Sequence, residues 1–258
     1  MLVLGKEKDF DGPLSSLGKV AAIDITIPKP AEKEVVAATP ESNARGKALL
    51  AATRKAMGGD ALLAVKDYTM TFDMTAITPQ GEFALKGEGS VNLAGKILLK
   101  MTTPMGEVVQ AFDGQSAWMR TPQGTQDAPA SARGQLESNI YGGLQAIVQR
   151  YDAQGVEVQA LGASGGLEGV AFSDAAHNVR VKLFVDPKTG LVAKKAVTGG
   201  AMAAPGEVEE SYDDYRDVNG IKWPFHSVTT QGGKKVTEQK VNAVKVNPGL
   251  PDSAYKKP

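Results

Sequence analysis

Two histidines, His177 and His226, are the first residues to weigh, because imidazole is the side chain best suited to proton transfer and metal binding near neutral pH. They stand 49 positions apart by subtraction, His177 in Ala-Ala-His-Asn and His226 after Trp223-Pro224-Phe225. Neither has Glu or Asp three or four residues further on in a helical context, so the His-Glu-x-x-His zinc pattern is absent and both read as structural or solvent-facing. Cysteine is absent, which removes thiol nucleophiles, thiolate metal sites and disulfides. Gly162-Ala163-Ser164-Gly165-Gly166 has the glycine content of a phosphate loop, but the Gly-Lys-Ser/Thr ending and the following helix are missing, so it reads as a hairpin. The acidic run Glu207, Glu209, Glu210, Asp213, Asp214 and Asp217 departs from the Asp-x-Asp-x-Asp-Gly calcium loop and reads as a solvated strand face. No catalytic set, metal site or cofactor loop emerges, and the chain reads as a non-enzyme without cofactors.

What remains is a surplus of large, adaptable apolar side chains on consecutive strands: Met70, Phe72, Met74, Leu99, Met101, Trp118 and Met119. They suit a packed core or a cavity wall for varied apolar ligands, since methionine's unbranched thioether moulds to irregular shapes. Alternation places Met70, Phe72, Met74 and Ala76 on one face, against Thr69, Thr71, Asp73 and Thr75 on the other.

The elements carrying these residues follow from periodicity and turn chemistry. Residues 42–57 form a helix, capped by Ser42 or Asn43, with an apolar stripe through Leu49, Leu50, Thr53, Ala56 and Met57 and a stop at Gly58-Gly59. A second helix runs from a cap near Ser131 to Gly155, and Gly142-Gly143 predicts a kink or break in it. About ten strands surround it, joined by Asp113-Gly114, Asp186-Pro187-Lys188-Thr189-Gly190, Asn219-Gly220 and Gly232-Gly233. Two helices cannot sheath both faces of so wide a sheet. The expected fold is mainly β (α+β): one strongly curved antiparallel sheet, an incomplete β-barrel with helices covering its concave face.

Length and charge set the remaining bounds. The 258 residues suit one to two domains, and 29 basic against 29 acidic residues give no electrostatic case for a nucleic-acid partner. The first residues lack a signal peptide's charge-then-apolar order, and no stretch approaches a membrane span. Residues 28–41 are charged, bounded by prolines, and read as a linker. It sets off residues 1–27, too few to fold alone, as the tail of a larger domain. Val20–Ile27, with Ile23, Ile25 and Ile27 on one face, predicts docking or self-association through residues 20–27. Residues 42–258 then form the main domain.

Several segments resemble a known family. Phe112-Asp113-Gly114-Gln115-Ser116-Ala117-Trp118, Asp186-Pro187-Lys188-Thr189-Gly190-Leu191, Tyr212-x-x-Tyr215-x-x-Val218-Asn219-Gly220-Ile221-Lys222-Trp223-Pro224 and Val246-Asn247-Pro248 resemble the outer-membrane lipoprotein-sorting proteins related to the LolA/LolB carriers. The resemblance implies a LolA-like open barrel with a helical lid and periplasmic location within a longer exported precursor. It further implies a hydrophobic ligand or partner: an acyl chain, a lipoprotein or an apolar peptide. Leu2-Val3-Leu4-Gly5, Phe10-Asp11, Pro13-Leu14, Leu17-Gly18 and Val20 are similar to the end of an insulinase/pitrilysin-type zinc peptidase. That likeness implies an upstream peptidase domain as partner, with this chain as its C-terminal portion. His-x-x-Glu-His is absent, so this chain cannot hold the catalytic zinc. Under the alternative function it implies, residues 42–258 position substrates for the peptidase and hold no lipid.

Overall fold

The computed structural model describes residues 38–198 and 207–258, together with Gly12. The expected peptidase remnant 1–27, its strand Val20–Ile27 and most of the linker lie outside the described residues. Helix α1 spans Pro40–Ala56, starting two residues before the expected position and inside the stretch expected as linker. Pro40 at the first helical position forfeits an N–H that would have no helical partner there. The cap is Thr39, whose Oγ1 accepts from the Ser42 backbone N–H while Ser42 Oγ accepts from Thr39 N–H.

A short helix α2 (Asp60–Leu63) leads into the first meander: β1 (Asp67–Thr78), β2 (Gly81–Asn92), β3 (Lys96–Thr103), β4 (Gly106–Phe112), β5 (Ala117–Thr121) and β6 (Gly124–Asp127). Helices α3 (Ala130–Tyr141) and α4 (Leu144–Arg150) follow, and the expected break falls at Gly142-Gly143. The second meander is β7 (Val156–Ser164), β8 (Leu167–Asp174), β9 (Val179–Val185), β10 (Val192–Thr198), β11 (Glu207–Val218), β12 (Ile221–Gln231) and β13 (Lys234–Val246). β13 pairs antiparallel with β1, from Tyr68 opposite Val246 to Ala76 opposite Thr237, and this one pairing welds the two meanders. The result is a 13-stranded antiparallel sheet in the order β6-β5-β4-β3-β2-β1-β13-β12-β11-β10-β9-β8-β7, curled and unclosed.

Turn chemistry accounts for the hairpins. Asn219 and Gly220 both take positive φ between β11 and β12. Asp186 Oδ1 accepts from the Lys188 backbone N–H between β9 and β10. A signal not drawn from the sequence is a Thr-Pro-x-Gly turn used three times, at 78–81, 103–106 and 121–124. In each, the threonine Oγ1 accepts from the N–H two residues on, and the glycine holds positive φ.

Packing divides by face. The concave side carries one large core that joins Leu50 and Met57 of α1, Leu136 and Ile140 of α3, and Ile147 and Val148 of α4 to inward strand residues. Arg54 fastens α1 to the end of α4. It donates to the Val148 and Gln149 carbonyls at 3.0 and 2.8 Å, pairs with Asp152 and stacks on Tyr151. These are carbonyls that a seven-residue helix would otherwise leave open. On the convex side Leu98, Val109, Ala111, Trp118 and Tyr255 form a separate small core. Asn247, at positive φ, accepts from Lys66 N–H and donates to the Ala64 carbonyl, tying the exit of β13 to the entry of β1.

Candidate functional site

Between the concave face and α3–α4 lies a cavity of about 820 Å³, within the range typical of small-molecule sites. Its two sides differ in chemistry. On β1–β3 it is walled by Met70, Phe72, Met74, Leu99 and Met101, five of the seven residues expected for a cavity wall. Phe72 lies flat over Gly87, its cross-strand partner, where an added Cβ would meet the ring at 2.1 Å. The glycine thus gives the phenyl group its seat in the sheet.

Trp118 and Met119 are not among the lining residues. Trp118 stands opposite Ala111, which stands opposite Leu98, and all three face the convex side. Its indole N–H donates to the Tyr255 carbonyl at 2.8 Å, so it anchors the C-terminal turn. Met119 pairs through Gln110 to Leu99 and so shares the concave face, beyond the cavity's edge.

The opposite wall, on β10–β13, is polar. Lys195 Nζ lies 3.0 Å from Glu210 Oε2, and the Tyr212 hydroxyl donates to the same oxygen at 2.7 Å. Burial opposes ionisation of Glu210, but Lys195, Tyr212 and Ser227 outweigh it and hold the carboxyl below its ordinary value. Burial, with Glu210 adjacent, pushes the Tyr212 hydroxyl up. The pair is therefore a mutually neutralised charge, and among the described residues the other cations lining the cavity are Arg180 of β9 and, when protonated, His226 of β12. Tyr68, which also lines the cavity, sits edge-on to Trp223 with centroids 4.7 Å apart, and Gln145 of α4 lines the same space. Sequence reasoning missed this polar wall because Glu210 shares a strand with five other acids. The detectable signal was parity, which puts Val208, Glu210 and Tyr212 on one face.

The other chemical candidates resolve into structure. His226 bridges Asp213 at 2.7 Å and Glu238 at 2.9 Å across three strands. His177 lies 2.8 Å from Asp174, which Arg150 also contacts, and stacks on Tyr141. In the acidic run, Glu207, Glu209, Asp214 and Asp217 pair with Lys182, Lys194, Arg216 and Lys222. Among the described residues no group of three or more histidines and carboxylates is arranged to hold a metal ion. Residues 162–166 also spell Gly-x-Ser-x-Gly, a point missed in the sequence. Ser164 is exposed at the β7–β8 hairpin, with a strand where a nucleophile elbow needs a helix. No helix among the described residues is long and apolar enough to cross a membrane.

No protein-family model matches the sequence, and no curated protein matches it. Solved structures do. A LolA-superfamily protein from Nitrosomonas europaea superposes with a TM-score of 0.57 at 12% identity, covering 82% of this chain and 97% of that one. A domain from Vibrio parahaemolyticus, named for outer-membrane lipoprotein sorting, gives 0.53 at 10% identity, with coverage of 83% and 97%. A DUF1329-family protein from Desulfovibrio piger gives 0.53 at 9%, with coverage of 82% and 97%. These likenesses establish the fold as LolA-like: a curled, unclosed antiparallel sheet with a helical cover.

Proposed function

We propose that this chain is a non-catalytic periplasmic binding domain that holds an apolar ligand, such as an acyl chain, a lipoprotein's lipid or an apolar peptide, in the concave face of its sheet. The observation that carries the proposal is the cavity of about 820 Å³ walled by Met70, Phe72, Met74, Leu99 and Met101. Open volume against adaptable side chains favours a container over a filled core. The outer-membrane lipoprotein-sorting name of the Vibrio parahaemolyticus domain, whose fold this chain shares, supports the cargo class and the compartment. The energetics suit a carrier: burying about 15 methylenes gains roughly 12 kcal/mol gross, against an association cost of about 4–15 kcal/mol. The net is weak to moderate binding, from which cargo can leave.

Residues 42–258 are proposed to be the binding domain, and residues 1–27 the end of a preceding peptidase-like domain joined through 28–41. Titration with 1-N-phenylnaphthylamine, an uncharged apolar fluorophore, tests the binding function. Saturable enhancement with a micromolar Kd is expected, and the Kd should rise at least about tenfold in Met101→Glu, because a buried carboxylate on that apolar wall costs desolvation. A flat titration of the folded wild-type chain would contradict the proposal.

A further inference from the structure

The apolar wall of the cavity is also a readily oxidised surface. Cysteine is absent from the chain, so a peroxide finds no thiol and the thioethers are the sulfur it meets. Three of the five wall residues, Met70, Met74 and Met101, are methionines, all half-buried and all open to the cavity. Met70 reaches across β2 at Gly89, its Cγ and Cε 3.6 and 3.7 Å from where a Cβ would stand, so its thioether lies over a residue without a side chain. Met101 pairs with Gly87, across from Phe72. The molecule also carries two methionines for comparison. Met57 is sealed in the core at 0% exposure, and Met105 stands 88% exposed in the β3–β4 turn, outside the cavity lining.

Resting on the cavity being a ligand site, we infer that Met70, Met74 and Met101 form a reversible oxidation site through which a peroxide discharges the ligand. The sulfur lone pair attacks one peroxide oxygen, and the S–O bond forms as the O–O bond breaks. The displaced hydroxide takes up the proton of the transferred oxygen and leaves as water, so each sulfur loses two electrons and the peroxide gains them. A methionine sulfoxide reductase reverses the step with a thiol donor, whose two thiols become a disulfide. The sulfoxide is polar where the thioether was not, and its oxygen needs a hydrogen-bond donor. The strand neighbours on this face, Phe72, Gly87, Gly89 and Leu99, offer no side-chain donor. Water serves the oxygen in an empty cavity, but an apolar guest excludes that water, so oxidation lowers affinity for the guest. Leucine at the same positions would give comparable apolar area with no such response.

The test is titration with 1-N-phenylnaphthylamine before and after hydrogen peroxide, quenched with catalase, with sulfoxides mapped by peptide mass spectrometry. Met70, Met74 and Met101 should be oxidised along with Met105 while Met57 is spared. Saturating probe present during oxidation should protect the three but not Met105. The Kd should rise at least about tenfold on oxidation and return to within about twofold of its starting value after a methionine sulfoxide reductase with dithiothreitol. Met105→Leu should respond as the wild type does, whereas Met70→Leu combined with Met74→Leu and Met101→Leu should show no change in its own Kd on oxidation. An unchanged wild-type Kd with the three sulfoxides present, or a triple variant that responds as fully as the wild type, would overturn the inference and leave the binding function standing. So would oxidation of Met105 without oxidation of the three. A wild-type chain that binds no probe before oxidation would overturn the binding function and the inference together.

Discussion

His226 shows how a residue with catalytic potential is absorbed into structure, and with a measurable consequence. On β12 it joins β11 through Asp213 and β13 through Glu238, and Glu238 is also held by Lys235. Glu238, with Asp213 and against some desolvation, raises the histidine above its ordinary value. Lys235 first, then His226, pulls the Glu238 carboxyl down to about 2. A histidine raised in the folded state adds stability that is fully present below its unfolded value of about 6.5 and is lost as pH climbs through the higher folded value. Urea midpoints of the wild-type chain should therefore fall as pH rises from about 6.5 through the histidine's raised folded value. His226→Gln should be less stable than wild type at the acid end and should approach it at the alkaline end. Parallel profiles would show that the bridge contributes nothing to stability. Such a role was invisible in the sequence: Asp213 and Glu238 reach His226 only through strand pairings that join residues 12 and 13 positions away.

At the scale of elements, the hairpins and the broken lid helix were legible because their signals are local. Asn219-Gly220 and Asp186–Gly190 fix turns, and Gly142-Gly143 interrupts a helix, whatever lies elsewhere in the chain. Which face a strand residue takes is less local. Trp118 and Met119 are neighbours of similar hydrophobicity on a five-residue strand, and a one-residue slip in register would exchange them. Pairing through Ala111 to Leu98 settles that Trp118 points outward. Helix docking shows the same dependence. Gly46 of α1 lies against β7, where an added Cβ would meet Ala160 N at 2.8 Å and Gln159 C at 2.9 Å, backbone atoms that cannot rotate aside. Gly134 of α3 has open space at the same position. Gly46→Ala should thus destabilise by about 1–3 kcal/mol, whereas Gly134→Ala should stabilise by about 0.5–1 kcal/mol through helix propensity alone. Denaturant unfolding of the two variants reads the signs directly. Matching signs would show that α1 does not pack on β7 as described.

For the molecule as a whole, the decisive feature is a sheet that curls without closing. β13 returns to β1, and α3 and α4 link the two edge strands β6 and β7. The helices that fill part of the concavity also leave a cavity against the methionine-rich wall. The sequence suggested that wall through five residues on β1–β3. It did not reveal the polar wall of Lys195, Glu210 and Tyr212, which forms only when β10 and β11 pair. The most direct test of the container is photolabelling with an acyl amide that carries a diazirine midway along its chain, with adducts mapped by mass spectrometry. Adducts should fall on the peptides spanning Tyr68–Met74 and Ile97–Met101, and excess unlabelled amide should abolish them. Adducts confined to the convex cluster around Trp118 and Tyr255, or labelling that unlabelled amide does not compete away, would contradict a ligand-holding concave face.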